Sequence, residues 1–451
     1  MKENRVITLK DKSNELKRFF MNQTIYYIIR FLLGVDRAGA YSSLIGYTSD
    51  VRLFHKYKVV IVPSGFFQSS VYGTPESLPQ LPLKEIEGVP LLFGTPKEEC
   101  FEETWVIYAD IIASSYFLLS RYEEIQKRDI RDKHGRFPGK ESLPYKAGFI
   151  HRPIVEEYGK LLRHWLRKAC VHIPEPQPEL QKIWLTHDVD APFFCRSLRN
   201  ICRETLKGIG FRKALKLYQG PLEKDPYYTF PWMLGQDSLV KNRFGDRCHI
   251  LFFLKAGGRH ANDKPHYQVR SHDIQKLLHL FKKNKALLGL HSSYEAGIYP
   301  DLIPEEKMRL EHDWKLENIH LNRHHYLASR EPEDLTKLIK AGITDDFTMG
   351  YADVSGFRLG TCRPVKWINP MTRQLTSLTL HPLSVMDCTL SESQYMGLSP
   401  DEAYQYCAGL VREIRQHRGE IVWLWHNTSF AGTESDYHKK LYVRLLNLLK
   451  R

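Results

Sequence analysis

The sequence predicts an α/β protein: an imperfect (β/α) barrel preceded by a smaller α/β N-terminal region. Three observations lead there. Past residue 182, short apolar runs alternate with segments whose apolar residues recur at helical spacing, roughly seven or eight times over. A polar run with three prolines, HIPEPQPELQK at 172–182, breaks the chain where a linker would. And 451 residues with 42% apolar and 12% aromatic content suffice to bury more than one sizeable core. The expected organisation is an N-terminal α/β domain over 1–172 without an assigned role, a Pro-rich linker over 173–182, and a barrel over 183–451.

The elements follow in chain order. After a charged start, FFMNQTIYYIIRFLLGV (19–35) is apolar but interrupted by Asn22, Gln23 and Arg30, which predicts a packed helix rather than a membrane span. VVIVPSGFF (59–67) and VPLLFG (89–94) read as short buried strands. ADIIASSYFLLSRYEEIQK (109–127) and VEEYGKLLRHWLRKAC (155–170) read as helices. The charged stretch SRYEEIQKRDIRDKHGRFP (120–138) reads as a surface loop. Past the linker, strands are expected at IWLTHDVD, HILFFLKAG, ALLGLHSSY, HHYLA, GITDDF, GFRLGT, LTLHPLSVMD and GEIVWLWHN. Helices are expected at the basic CRSLRNICRETLKGIGFRKALKLY, at DIQKLLHLFKKNK, at EEKMRLEHDWKLENIHL, at EDLTKLIKAG and at the C-terminus. SPDEAYQYCAGLVREIRQHRG carries its own start signal: Ser399 as N-cap, Pro400 at the first helical position and acids in the first turn.

The formal charge of +13 and the pI near 9.2 suit anionic partners. The cations are spread along the chain and no nucleic-acid-reading motif accompanies them, so a nucleic-acid binder is excluded. A peripheral contact with a membrane surface is the lipid interaction the composition permits. Eight cysteines without a C-x-x-C pair predict reduced, mostly buried thiols. With no secretory signal in view, the expected compartment is the cytoplasm.

Chemistry gathers at the C-terminal ends of barrel strands, and four polar clusters fall at such ends. In WLTHDVDAP, Asp188 and Asp190 are two residues apart in an extended segment and so point the same way. One helix cap needs one acid, so the pair asks for a cation or an acid–base task. His187 points oppositely and reads as structural. His291 follows LLGL, and His426 follows IVWLW. Arg323, His324 and His325 open another segment, where at most one of the two histidines faces the site. Singly, each histidine is as well explained by a backbone hydrogen bond at a strand end. Their joint placement is what points to a site.

These residues resemble the polysaccharide deacetylase superfamily, in its chitooligosaccharide deacetylase-like form, over about 183–430. Phrases such as SSYFLLSRYEE, LTHDVD, GYADVSGFRLGT and LWHN make the whole chain similar to a two-domain bacterial branch of it. The resemblance implies a hydrolase of carbohydrate metabolism that uses a divalent metal, zinc, to remove N-acetyl groups. In THDVD it makes Asp188 the base and Asp190 a metal ligand. HSSYE matches the second motif at His291 and Ser292 but has Glu295 where a second histidine belongs, so the third ligand is either Glu295 or His325. GFRLGTCRP resembles the arginine motif, with Arg358 expected to hold Asp188 and Arg363 the alternative. His426 ends the final motif as the acid that protonates the leaving amine. Trp425, Arg363 and Tyr294 are the candidates to touch substrate, with core packing the plainer reading of Trp423 and Trp425. Asp346 and Asp387 are placed to fix His426 or Arg358. The implied partner is an acetylated saccharide, or a lipid- or nucleotide-linked precursor handled inside the cell. Two rivals stand beside this: a saccharide-binding protein with the chemistry lost, motivated by Glu295, and hydrolysis of an O-acetyl ester or another amide. Oligomeric state is not legible.

Overall fold

The computed structural model describes residues 9–35, 37–267, 269–432 and 435–450. In the N-terminal half, β1 (Ile45–Tyr47), β2 (Val59–Ile61), β5 (Gly94–Phe101) and β6 (Thr104–Ala109) form a sheet in the order β1-β2-β6-β5, parallel except at β5. Between them, β3 (Lys84–Ile86) and β4 (Val89–Leu91) pair as an antiparallel hairpin. The helix Leu9–Leu33 buries Ile28, Ile29, Leu32 and Leu33 against the helix Ile154–Lys168. Gly159 makes that approach feasible, because a Cβ there would lie 2.3 Å from the Leu32 carbonyl oxygen. No described helix is long and apolar enough to cross a membrane. The helix expected over 109–127 is two pieces, Ile111–Leu119 and Tyr122–Gln126, because Arg121 adopts φ 60° between them.

The second half carries β7 (Lys182–Val189), β8 (Cys248–Leu254), β9 (Leu287–Ser292), β10 (Leu321–His324), β11 (Asp345–Met349), β12 (Val365–Asn369), β13 (Gln374–Pro382), β14 (Val385–Met386) and β15 (Glu420–Leu424). They form one sheet, β12-β13-β11-β10-β9-β8-β7-β15-β14, parallel except at β12. Apart from the first half of β13 and the start of β9, the strands are largely buried on both faces, as parallel strands of α/β proteins are. Ile183, Leu185, Phe252 and Trp423 join a large core that also includes Leu162 and Trp165 of the N-terminal half. Trp184, Leu251, Phe253, Phe347, Val422 and Leu424, from the opposite face of the same sheet, form a separate inner cluster.

The α/β class is as expected, but the barrel is not a closed ring of ladders: the strand order ends at β12 on one side and β14 on the other. The reason lies at Pro382, which has no N–H for a ladder and ends β13. Leu383 and Ser384 then carry the chain into β14. Leu383 N donates to Met349 O at 3.1 Å and Ser384 N to Val422 O at 3.2 Å, so one kinked stretch meets β11 and then β15.

Other local expectations give way to turn chemistry. The basic segment is two helices, Leu198–Glu204 and Phe211–Gln219, separated at Gly208 (φ 94°) and Gly210 (φ 81°). The helix expected over 305–321 stops at Trp314, where Lys315 turns left-handed. GFRLGT is a buried loop, not a strand. The polar run 172–182 is largely irregular but anchored: Glu175 pairs with Arg163 and Arg167, and Glu179 with Arg247 and Arg418. Ser399 caps Pro400–Gln416 with a full capping box through Glu402. All eight cysteines are free. Cys195, Cys248, Cys362 and Cys407 are buried, but Cys100, Cys170 and Cys202 are exposed, so fewer are hidden than expected.

Candidate metal centre

Strand parity builds the site. Along β7, Thr186 and Asp188 face inward, and Asp190 continues that face just past the strand end; His187, on the other face, spans Trp425 O and Asp237 Oδ2 at 2.9 and 2.8 Å. The structural reading of His187 fits that position. His291 on β9 reaches both acids, its Nε2 lying 3.1 Å from Asp190 Oδ1 and 3.5 Å from Asp188 Oδ2. His325, just beyond β10, brings Nε2 to 3.3 Å from Asp190 Oδ1. His426, beyond β15, brings Nε2 to 3.6 Å from Asp190 Oδ2. His324 turns away to Asn322 and Thr348, so one of the paired histidines faces the site.

Asp190, His291 and His325 hold their ligand atoms within 4.8 Å of one another. Ligands ~2.0–2.1 Å from a tetrahedral zinc stand ~3.3 Å apart, which matches the two Asp190–imidazole separations. The outer partners fit as well. His291 Nδ1 donates to Arg323 O at 2.9 Å, and His325 Nδ1 donates to Asp263 Oδ1 at 3.0 Å. Each bond fixes the proton on Nδ1 and leaves Nε2 turned to the centre, as in metal-binding histidines generally. One carboxylate and two imidazoles so oriented suit a borderline cation such as zinc. A second group, Asp387, Cys388 and His426, adjoins it. There His426 Nδ1 donates to Asp387 Oδ1 at 2.9 Å, while Asp387 also accepts from His426 N (2.7 Å) and Ser429 Oγ (2.5 Å).

The electrostatics follow from these pairings. Burial opposes ionisation of Asp190, but His325, His291 and His426 outweigh it and hold the carboxyl well below the usual carboxylate range. Burial likewise disfavours charge on His426, and Asp387 reverses this, raising the imidazole well above its ordinary value. His325 is raised against burial by Asp190 and Asp263. Asp190 is the open member, its side chain 31% exposed against 14% for His426 and 4% for Asp188, so solvent enters beside Asp190.

Several expected site residues lie elsewhere. Arg358 does not touch Asp188. Its Nε and Nη2 donate to Glu124 at 3.0 and 2.8 Å, because the loop carrying it packs under the N-terminal half. Arg323 takes that place: Nη1 donates to Asp188 Oδ1 at 3.0 Å and Thr186 Oγ1 at 2.7 Å, and Nε to Phe347 O at 3.0 Å. Arg363 pairs with Glu156 and lines a cavity of about 940 Å³ with Tyr27, Arg163 and His417, apart from the centre. Glu295 accepts from Arg259 N at 2.6 Å and is outside the ligand cluster. Trp425 is fully buried against Tyr442 of the C-terminal helix, being on the outward parity of β15, so it presents no wall to a substrate. Tyr294 is nearly buried beneath the rim, its ring 5.3 Å from that of Tyr326. Asp346 bonds Asn322 and Thr348 rather than His426 or Arg358. Asp263 and Lys255 went unanticipated. Lys255 is buried directly after β8, as Asp190 directly follows β7, and its ammonium donates to Asp263 O at 3.1 Å.

Residues 16–170 match the model of a family of unknown function (DUF7033). No curated protein matches the chain. Among solved structures, a Bordetella bronchiseptica protein provisionally described as a polysaccharide deacetylase involved in O-antigen biosynthesis is similar at 13% identity. The match covers 62% of this chain and 87% of that one with a TM-score of 0.27, too low to equate fold or residues.

Proposed function

We propose that the chain is a zinc-dependent hydrolase that removes N-acetyl groups from a saccharide, with Asp190, His291 and His325 holding the metal. The observation that carries this reading is the meeting of those three side chains with Asp188 and His426, from four strand ends, around one partly open carboxylate. A cation held there supplies Lewis acidity, polarising an amide carbonyl and making water a competent nucleophile near neutral pH. Asp188, fixed by the Arg323 guanidinium, takes a proton from the attacking water. His426, kept protonated by Asp387, is the donor for the departing amine, which leaves only once it carries that proton. Burial of Arg323 and Asp188 keeps their pairing out of competition with solvent.

The test is acetate release from the N-acetylglucosamine tetramer by the full chain, stripped with chelator and then supplied with zinc. Activity is expected to return with about one zinc per chain. Asp188→Asn is expected to keep the metal and lose turnover, and His325→Ala to lose both. A chain that takes up no stoichiometric zinc, or takes it up and releases no acetate from a panel of N-acetylated saccharides, overturns the reading. Release from O-acetylated saccharides alone would move the activity to ester cleavage.

A further inference from the structure

We infer that the N-terminal half supplies part of the substrate wall: the loop 127–141 sets His134 beside Tyr326 to form a subsite for a sugar ring next to the one being deacetylated. This rests on the saccharide reading above. The loop was expected to be plain surface, and its structure is not that of one. Asp132 organises it, accepting from His134 N at 2.9 Å, Arg136 N at 2.9 Å and Arg136 Nε at 2.8 Å, with Gly135 at φ 75° closing the turn. Arg136 is buried and reaches across to donate to Tyr326 O at 2.7 Å. Tyr326 directly follows the candidate ligand His325. The loop of one half therefore grips the residue next to the metal centre of the other.

Ring contacts run from the centre to the loop without a break. The His325 ring lies 4.8 Å from Tyr326, Tyr326 lies 4.9 Å from His134, and Tyr294 packs edge-on to both, 5.3 Å from Tyr326 and 5.8 Å from His134. Tyr326 is 38% exposed, and His134 is half-buried. Tyr326 also sits at φ 61°, a conformation a large aromatic residue rarely adopts, and it is held there by its carbonyl's bond to Arg136. His134 and Tyr326 are tilted 51° to one another and form an angled aromatic corner with polar edges, which suits a ligand that is apolar on its ring faces and hydroxylated at its rim, as a pyranose is. The placement of Tyr326 directly after His325, with its ring 4.8 Å from that imidazole, makes that ligand a neighbouring unit of the same saccharide chain.

The experiment uses zinc-loaded full chain with the N-acetylglucosamine tetramer and monomer. His134→Ala and Tyr326→Ala are each expected to raise KM for the tetramer roughly three- to tenfold, with kcat, zinc content and monomer turnover unchanged. His134→Phe and Tyr326→Phe, which keep a ring, are expected to restore KM. An unchanged tetramer KM in both alanine variants overturns the inference while leaving the deacetylase reading intact. Where the wild type releases no acetate, calorimetric titration of the tetramer into the zinc-loaded Asp188→Asn protein decides separately. Weaker binding on adding His134→Ala upholds the wall without the chemistry. Equal affinity, or no binding at all, removes the wall too.

Discussion

The Nδ1–H of His325 is held by Asp263 at 3.0 Å, which leaves Nε2 as the nitrogen turned to Asp190. Asp263 does further work nearby, accepting from Tyr294 N and Glu295 N. Asp263→Asn keeps the shape and weakens the grip on that proton, so zinc affinity is expected to fall by roughly 10- to 100-fold, as outer-partner losses do. Glu295→Gln, outside the cluster, is expected to leave affinity unchanged. Competition against a chromophoric chelator measures both, and equal losses in the two variants would reject the ligand assignment. The sequence made much of this site readable, since period-two alternation already aligned Asp188 with Asp190. The same rule applied to RHH would have paired Arg323 with His325 on one face, which is where they are found. Asp263 had no such signal, because it comes from a loop after β8 whose path no periodicity encodes.

Among the elements, strand centres were legible and their interruptions were not. Apolar runs marked β7, β8, β9 and β15 closely, whereas the broken helices and the Pro382 kink depend on single left-handed residues or a missing N–H. GFRLGT looked like a strand because its apolar and small residues are buried, yet they are buried as loop beneath the other half. A second consequence belongs to the sheet itself. Near the start of β15, Glu420 faces His381 of β13 at 2.8 Å, and Asp345 of β11 lies on its other nitrogen at 3.0 Å. Burial disfavours charge on His381, but Glu420 and Asp345 raise it to about 9. A base raised by folding contributes fully below its unfolded value near 6.5, and the contribution is lost as pH climbs through 9. The stabilisation at stake is about 3 kcal/mol. Denaturant titrations of wild type and His381→Gln should thus differ most near pH 6 and converge by pH 10; a difference independent of pH would show that the imidazolium is not what ties these three strands.

The two halves are joined by a buried charge cluster as well as by shared core. Glu124 lies between Arg121, at 2.5 Å, and Arg358, at 2.8 Å, and all three side chains are almost wholly buried. Arg121 extends the connection by donating to Ser329 Oγ and Ser329 O, both at 2.9 Å. Thus the arginine that the motif resemblance assigned to the base instead ties a loop near the site to the helix Tyr122–Gln126. Burial pushes the Glu124 carboxyl upward, but Arg121 and Arg358 overcome it and bring it down to about 2. An acid lowered by folding stabilises above its unfolded value near 4.5, and that contribution disappears as pH falls towards 2. Glu124→Gln leaves two guanidinium groups buried without their counter-charge, which is expected to cost about 3–5 kcal/mol at pH 7. Because the cluster and the large core both span the halves, the loss should fall on a single unfolding transition rather than on one half alone. Circular dichroism during urea titration, followed at pH 7 and at pH 3, measures this. The gap between wild type and variant should narrow at the lower pH, and two separated transitions in the wild type would mean that the halves fold independently and that the cluster merely touches.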